Sequence, residues 1–252
     1  MPNFDGKIVV ITGAGQGIGR AYAHAFAEAG ASVAVVDLNE EKAKSVAAEI
    51  NDLGKSALAV TANVSMKDSV TSMVKSIYER FGALHVLVNN AAIFSTLKMR
   101  PFEEISVEEW DSVHAVNARG TFLCCQAAAP IMKQQKYGKI INISSSVVVT
   151  GRPNYAHYVA SKGAVVALTR ALATELGPFD VNVNAISPHG IVTEVPRETI
   201  TEDQWAGIIA SQALKRRGET ADMIGTTMYL ASDASRYMTG QTLNLDAGLR
   251  YN

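Results

Sequence analysis

The 252-residue chain is poor in cysteine and proline and has no surplus of either charge. Its two cysteines, Cys124 and Cys125, are adjacent in "TFLCCQAAAP". Neighbouring helix positions point in different directions, so an ordinary disulfide between them is not expected. Buried free thiols are the expectation, ahead of redox or metal roles. The five histidines are scattered without ligand spacing, so no metal is expected. Lys and Arg number 23 against 24 Asp and Glu, a formal net charge of −1. That balance lacks the basic excess of a nucleic-acid or anionic-membrane binder. No apolar run approaches the roughly 18 residues of a membrane span. "MPNFDGK" has no charged-then-apolar signal layout, so a cytoplasmic protein is expected. Linkers, repeats and low-complexity tracts are absent too. One domain over residues 1–252 is the reading, large enough to need no staple.

What is present is alternation. Short β-branched runs cover 7–12, 32–37, 56–61, 85–89, 139–144, 181–186 and 241–246. Their near-continuous apolar character suits a parallel sheet covered on both faces. Between them lie helical patterns. Ile18, Ala21, Tyr22, Ala25, Phe26 and Ala29 share one helix face, and Gly30 stops it. Residues 40–53, 67–81, 107–134, 159–177 and 220–231 read alike. The expected fold is α/β: a doubly wound, Rossmann-type sheet of seven parallel strands with helices on both faces. The irregular stretch is 188–218, with at most one or two short helices from Thr201. Such an excursion from a compact domain reads as a substrate lid.

"TGAGQGIG" (12–19) follows the first strand and opens the first helix. That context fits a dinucleotide phosphate loop, with Gly13 for the turn, Gly17 for close approach of a pyrophosphate and Gly19 for helix–sheet packing. The helix N-terminus would meet the anion with free N–H groups. Asp37 ends the second strand, 18 residues past Gly19. A carboxylate there accepts hydrogen bonds from ribose hydroxyls and repels a 2′-phosphate. Gln16, Leu38 and Asn39 surround it without a Lys or Arg, so NAD is expected over NADP. The plain alternative is that Asp37 caps the next helix.

"YVASK" places Tyr158 and Lys162 one turn apart on a helix face. A free tyrosine has a pKa of about 10 and is only about 0.1% phenolate at pH 7. A cation about 4 Å away is worth about 4 kcal/mol at an effective dielectric of 20. Lowering the pKa by two to three units needs about 3–4 kcal/mol, so the lysine suffices. The phenol then exchanges protons with an alcohol or ketone oxygen near neutral pH. Taken alone, the pair reads more readily as a packed tyrosine and a solvated lysine.

The chain resembles the short-chain dehydrogenase/reductase family over essentially its whole length. "TGAGQGIG", "NNAA" (89–92), Asn117 in "AVNARG", "NISSS" (142–146), "YVASK" and "PHGIVT" (188–193) occur in the family's order. The resemblance implies a tetrad of Asn117, Ser145, Tyr158 and Lys162. Tyr158 would be the acid/base. Lys162 would lower its pKa and hold the nicotinamide ribose. Ser145, thirteen residues before the tyrosine, would bond the substrate oxygen. The Asn117 carbonyl would hold a water leading from Lys162 to solvent; a capping or buried amide is the alternative. The implied cofactor contacts are Gly13, Gln16, Gly17, Ile18, Gly19, Asp37, Leu38, Asn63, Val64, Asn90, Ala91, Ala92, Tyr158, Lys162, Pro188, Ile191 and Thr193. A homotetramer is implied as well, and the small-residue faces of 107–134 and 159–177 suit helix-on-helix contact.

Three positions depart from the pattern. Asn63 replaces the usual Asp beside adenine, where its amide oxygen still accepts a bond. Ala92 replaces a frequent glycine. His189 replaces the glycine after the proline, where its ring either bonds a polar substrate group or faces solvent. Phe94, Val147, Tyr155, His189 and Trp205 are the substrate-pocket candidates. They are mostly apolar, and Arg152 reads as part of a solvated turn, so an uncharged secondary alcohol or ketone is expected. "PNYAHYVASKGAVVALTRALATELG" and "TGQTLNLDAG" look similar to NAD-dependent members acting on small aromatic alcohols or pyridoxal. Enoyl reductases space Tyr and Lys more widely, and extended-type epimerases are longer. The rival enzyme is an NADPH-linked 3-oxoacyl-carrier-protein reductase with a basic docking patch, for which Lys215, Arg216 and Arg217 are candidates. The rival of another class is a non-catalytic NAD-binding sensor.

Overall fold

A computed structural model describes residues 2–196 and 200–251. Its centre is a seven-stranded parallel sheet in the order β3-β2-β1-β4-β5-β6-β9. The strands are β1 (Ile8–Thr12), β2 (Ser32–Asp37), β3 (Ser56–Thr61), β4 (Val86–Asn89), β5 (Gly138–Ile143), β6 (Val181–Pro188) and β9 (Thr242–Leu245). Two-residue strands β7 (Ile191–Val192) and β8 (Gly218–Glu219) pair outside it. β1 shows why the sheet forms. All five of its residues are buried, and alternate side chains serve opposite faces. Val9 and Ile11 join Tyr22 and Phe26 of α1 (Gly17–Glu28), Val46 of α2 (Glu40–Asp52) and Met223 of α9 (Thr220–Ala231). Ile8 and Val10 join Met73 and Ile77 of α3 (Lys67–Phe81) and Cys124 and Met132 of α5 (Thr121–Gln135). Each such side chain contributes about 1.5–3 kcal/mol on burial. Cys124 and Cys125 are free and buried, and burial pushes the Cys125 thiol up to about 12.

β1 lies between β2 and β4, so successive connections leave on opposite sides. A crevice opens at such a switch point beyond the strands' C-terminal ends. Two helices differ from expectation. The 107–134 pattern breaks into α4 (Val107–His114), a π segment (Ala115–Gly120) and α5. The π segment holds Asn117, whose amide takes the backbone N–H of Ile93 at 2.8 Å and donates to its carbonyl at 3.2 Å. Widened turns of this kind arise where a side chain must serve another segment. α7 (Ala156–Leu176) starts three residues earlier than the pattern, so Tyr158 lies in its first turn. Within 188–218, one helix follows Thr201: α8 (Glu202–Ser211), closed by a capping box with Gln204. A short helix α6 (Val147–Thr150) precedes α7. Among the described residues no helix is long and apolar enough to cross a membrane.

Candidate active site

A cavity of about 570 Å³ runs along the crevice from the glycine loop to Tyr158. At one end, Gly17 has φ +60°, a conformation that favours glycine, and its N–H points outward at the start of α1. A Cβ on Gly19 would lie 2.1 Å from the Gly13 carbonyl oxygen, so only glycine permits this helix–loop approach. The Asn90 amide donates to the Thr12 and Gly13 carbonyls, both at 3.0 Å, and ties the end of β4 to the loop. Its neighbour Asn89 turns inward, donating to Asn142 at 2.9 Å.

Asp37 fixes the other wall of this end. One carboxylate oxygen accepts from the Gly15 N–H and the other from the Asn39 N–H, both at 2.9 Å. Each oxygen keeps a lone pair for a further donor. The loop itself reports its affinity for anions. The Glu194 carboxylate, 177 residues away, accepts from the Gly17 N–H at 2.7 Å. A carboxylate seated on a helix N-terminus is a stand-in for a phosphate oxygen. With a hydroxyl-binding carboxylate nearby, these residues suit a dinucleotide.

At the far end, Lys162 is 3% exposed and donates from Nζ to the Ile143 carbonyl at 2.7 Å. Its Nζ stands 5.8 Å from the centre of the Tyr158 ring. Burial pulls its pKa down to about 8, and it stays mostly protonated at pH 7. Three serines follow β5 and their hydroxyls diverge. Ser144 donates to the Lys162 carbonyl at 3.0 Å, and Ser146 meets His189 Nδ1 at 2.6 Å. Ser145 accepts weakly from the Val147 N–H at 3.4 Å and faces the cavity. It is the serine placed to bond a ligand oxygen beside Tyr158.

A family model described as enoyl-(acyl carrier protein) reductase matches residues 13–250. The 3-oxoacyl-[acyl-carrier-protein] reductase FabG of Staphylococcus aureus is 40% identical over 245 residues, covering 96% of this chain and 98% of that protein. Among solved structures, a short-chain type dehydrogenase/reductase from Mycobacterium marinum is 36% identical with a TM-score of 0.89, covering 99% of this chain and 98% of the other. A 7α-hydroxysteroid dehydrogenase, solved with NADH and 7-oxo glycochenodeoxycholic acid, is 31% identical with a TM-score of 0.93, covering 98% and 95%. The chain belongs to the short-chain dehydrogenase/reductase family. It is an oxidoreductase of that family, whose members work with a nicotinamide dinucleotide.

Most residues expected at the site of this family member line the cavity. Gly13, Gln16, Gly17, Ile18, Asp37, Leu38, Asn63, Val64, Asn90, Ala91, Ala92, Pro188, Ile191 and Thr193 do so. Ser145, Tyr158, Lys162, Phe94, Val147 and His189 do as well. Four expected residues stand behind the wall. Gly19 packs on Gly13 as described. Asn117 is fully buried, and its carbonyl accepts from the Thr121 hydroxyl at 2.8 Å. Tyr155 is fully buried and donates to the Phe94 carbonyl at 3.0 Å, so it supports the pocket instead of touching a substrate. Trp205 is likewise corrected: its ring packs beneath Gly190 and against Arg217, at 4.9 Å.

Three further points change the reading. Asn63 was expected to offer its amide oxygen to adenine, but that oxygen accepts from the Ser65 N–H at 3.0 Å and the Ser65 hydroxyl at 2.7 Å. Its amide nitrogen is what remains, a donor in place of an acceptor. Lys42, in the first turn of α2, bonds the Gln16 amide oxygen and packs with Asp37 around Gly15, so a cation does stand near Asp37. Arg152, expected on a solvated turn, lines the cavity, and burial lowers its pKa. Sequence spacing gave no signal for Arg152, or for Glu194 on the loop. The apolar Ile200 and Ile208, from the stretch read as a lid, also line the cavity.

Proposed function

We propose that this chain is an NAD-linked oxidoreductase that interconverts a small secondary alcohol and its ketone, with Tyr158 as the acid/base. The observation that carries this reading is one wall shared by a phenol and a buried, protonated lysine, in a cavity whose other end is a glycine loop flanked by Asp37. When bound, the dinucleotide supplies the hydride acceptor or donor. Gly17 and the start of α1 hold its pyrophosphate, and Asp37 its adenosine ribose. The Lys162 charge favours the phenolate of Tyr158, so the phenol takes a proton from an alcohol or returns it to a ketone near neutral pH. Ser145 holds the substrate oxygen within reach of that phenol. Asn117 belongs to this reading as the residue that anchors the Ile93 backbone under the site and offers a carbonyl for a proton-carrying water. Residues 188–218 serve as the lid, and α4, α5 and α7 as contacts of a homotetramer.

The test is NADH formation with a panel of secondary alcohols. Turnover that vanishes in Tyr158→Phe is expected; tight NADH binding with no turnover of any alcohol or ketone would favour the sensor instead. The curated relatives favour a second reading, reduction of a 3-oxoacyl carrier-protein thioester. The candidate docking patch is weak support for it. Arg216 is bound by Asp222 through two contacts of 2.6 Å, Arg217 pairs with Glu202, and Lys215 donates to the Ala210 carbonyl at 2.7 Å. NADPH-dependent reduction of such a thioester, faster than any alcohol oxidation with NAD, would select that reading.

A further inference from the structure

The end of the cavity that holds Ser145 and Tyr158 contains a ring that the acid/base machinery does not use. His189 follows Pro188 at the end of β6, and its backbone N–H donates to the Leu245 carbonyl at 3.0 Å. The imidazole forms part of the cavity wall together with Ser145, Val147 and Tyr158. Its Nδ1 meets the Ser146 hydroxyl at 2.6 Å. Its Nε2 is buried and has no hydrogen-bond partner among the described residues. Buried polar atoms are normally matched, and an unmatched one on a cavity wall marks a place for a ligand atom. Burial holds the ring's pKa below the usual histidine range, opposed by the Asp246 carboxylate and helped by the Arg152 charge, so His189 is neutral at pH 7.

The ring is held from two sides. Ser146 is 1% exposed and directly follows Ser145, and its backbone N–H donates to the Pro188 carbonyl at 3.1 Å. The end of β6 is thereby stitched to the turn after β5, and His189 stands next to the serine proposed to hold the reacting oxygen. We propose that the substrate carries a second, uncharged oxygen on the carbon next to its reacting carbon or one carbon beyond, and that His189 Nε2 bonds it. The class is a small diol or its hydroxy ketone. Ser146 donates to Nδ1, which leaves the ring proton on Nε2, and a hydroxyl or carbonyl oxygen accepts from that N–H. Phe94, Val147 and Ile208 are apolar walls for the rest of the substrate, and the dinucleotide must share the same 570 Å³, so the carbon chain is short. A plain alcohol leaves the nitrogen buried and unmatched, which costs about 10- to 100-fold in recognition.

This inference rests on the oxidoreductase reading, and matched substrates separate the two. NAD reduction by the whole protein is measured with each stereoisomer of 2,3-butanediol and 1,3-butanediol, with 2-butanol, and with 2-hydroxybutanoate. The better diol is expected to exceed 2-butanol about 10- to 100-fold in kcat/KM, chiefly through KM. In His189→Phe that ratio falls toward one. His189→Gln, which keeps an N–H donor, retains more of it. Ser146→Ala, which releases Nδ1 and with it the tautomer, falls between the two. 2-Butanol matching the diols in the unaltered protein would overturn the second-oxygen proposal while leaving the oxidoreductase standing. A ratio unchanged in His189→Phe would do the same, as would 2-hydroxybutanoate exceeding both diols. No turnover of any diol, alcohol or hydroxy acid, with dinucleotide still bound, would overturn the oxidoreductase reading and this inference with it.

Discussion

Replacing Lys162 by Met removes a buried charge but keeps the volume, and it should make the protein more stable while making it a poorer catalyst. The ammonium is almost fully buried and is held near pKa 8 by desolvation, against 10.5 when free. A depression of that size corresponds to about 3 kcal/mol of strain on the folded state whenever the lysine is protonated. Methionine removes that strain and also loses the bond to the Ile143 carbonyl, worth about 1 kcal/mol. The net gain is about 1–2 kcal/mol at pH 7, a few degrees in Tm for a chain of this length. The pH dependence has a definite sign. Between about 8 and 10.5 the native lysine has released a proton that the unfolded chain still holds, so the unaltered protein gains stability as pH rises through that window. The advantage of Lys162→Met therefore fades above pH 8 and is gone by about 10.5. Catalysis moves the other way. At 5.8 Å and an effective dielectric of 20, the charge is worth about 3 kcal/mol to a phenolate. Its loss raises the pH midpoint of alcohol oxidation by about two units and lowers the rate at pH 7 about 100-fold. Thermal melts without dinucleotide across pH 6–11, together with a kcat/KM profile against pH, read both effects. A lower Tm at pH 7, or a kinetic midpoint that stays in place, would show that Lys162 does not act through its charge on Tyr158.

Three other expectations follow from the cavity walls. On the proposed function, Asp37→Ser removes the carboxylate that would face the adenosine ribose and leaves Lys42 close by; an NADH-over-NADPH preference in kcat/KM should fall about 10- to 100-fold, and an unchanged ratio would mean that Asp37 does not select the cofactor. Glu194→Gln weakens the bond that occupies the Gly17 N–H, so NADH should bind about 3- to 10-fold more tightly by calorimetry; equal or weaker binding would show that the carboxylate does not compete with the pyrophosphate. Phe102, Val107 and Trp110 are exposed and border a groove with Ile105 and Ala156 at the starts of α4 and α7. Light scattering at micromolar concentration should therefore give a tetrameric mass, and Trp110→Glu should lower it; a monomeric mass for the unaltered protein rejects the assembly.

Local pattern alone was enough for the sheet and for the glycine turn between β1 and α1. The inner strands β1, β2, β4, β5 and β6 carry apolar runs because both faces are covered, and "TGAGQGIG" is recognisable because a tight turn and close helix packing demand glycine within eight residues. The Tyr158–Lys162 pair is legible for the same reason, since one helical turn brings its members together. The tertiary structure decided what depends on distant partners. Glu194 meets Gly17 across 177 residues and His189 meets Ser146 across 43, and no spacing rule spans such gaps. Tyr155 and Phe94 have similar chemistry in sequence, yet only the packing of α7 on the residues after β4 turns one into a support and leaves the other on the wall. Arg152 read as a solvated turn because a lone arginine after a glycine usually is one. Its place over Tyr155, beside the reacting end of the cavity, is set by how the α6 turn folds back on α7, a choice made by the energy of the whole core and not by the residues on either side of it.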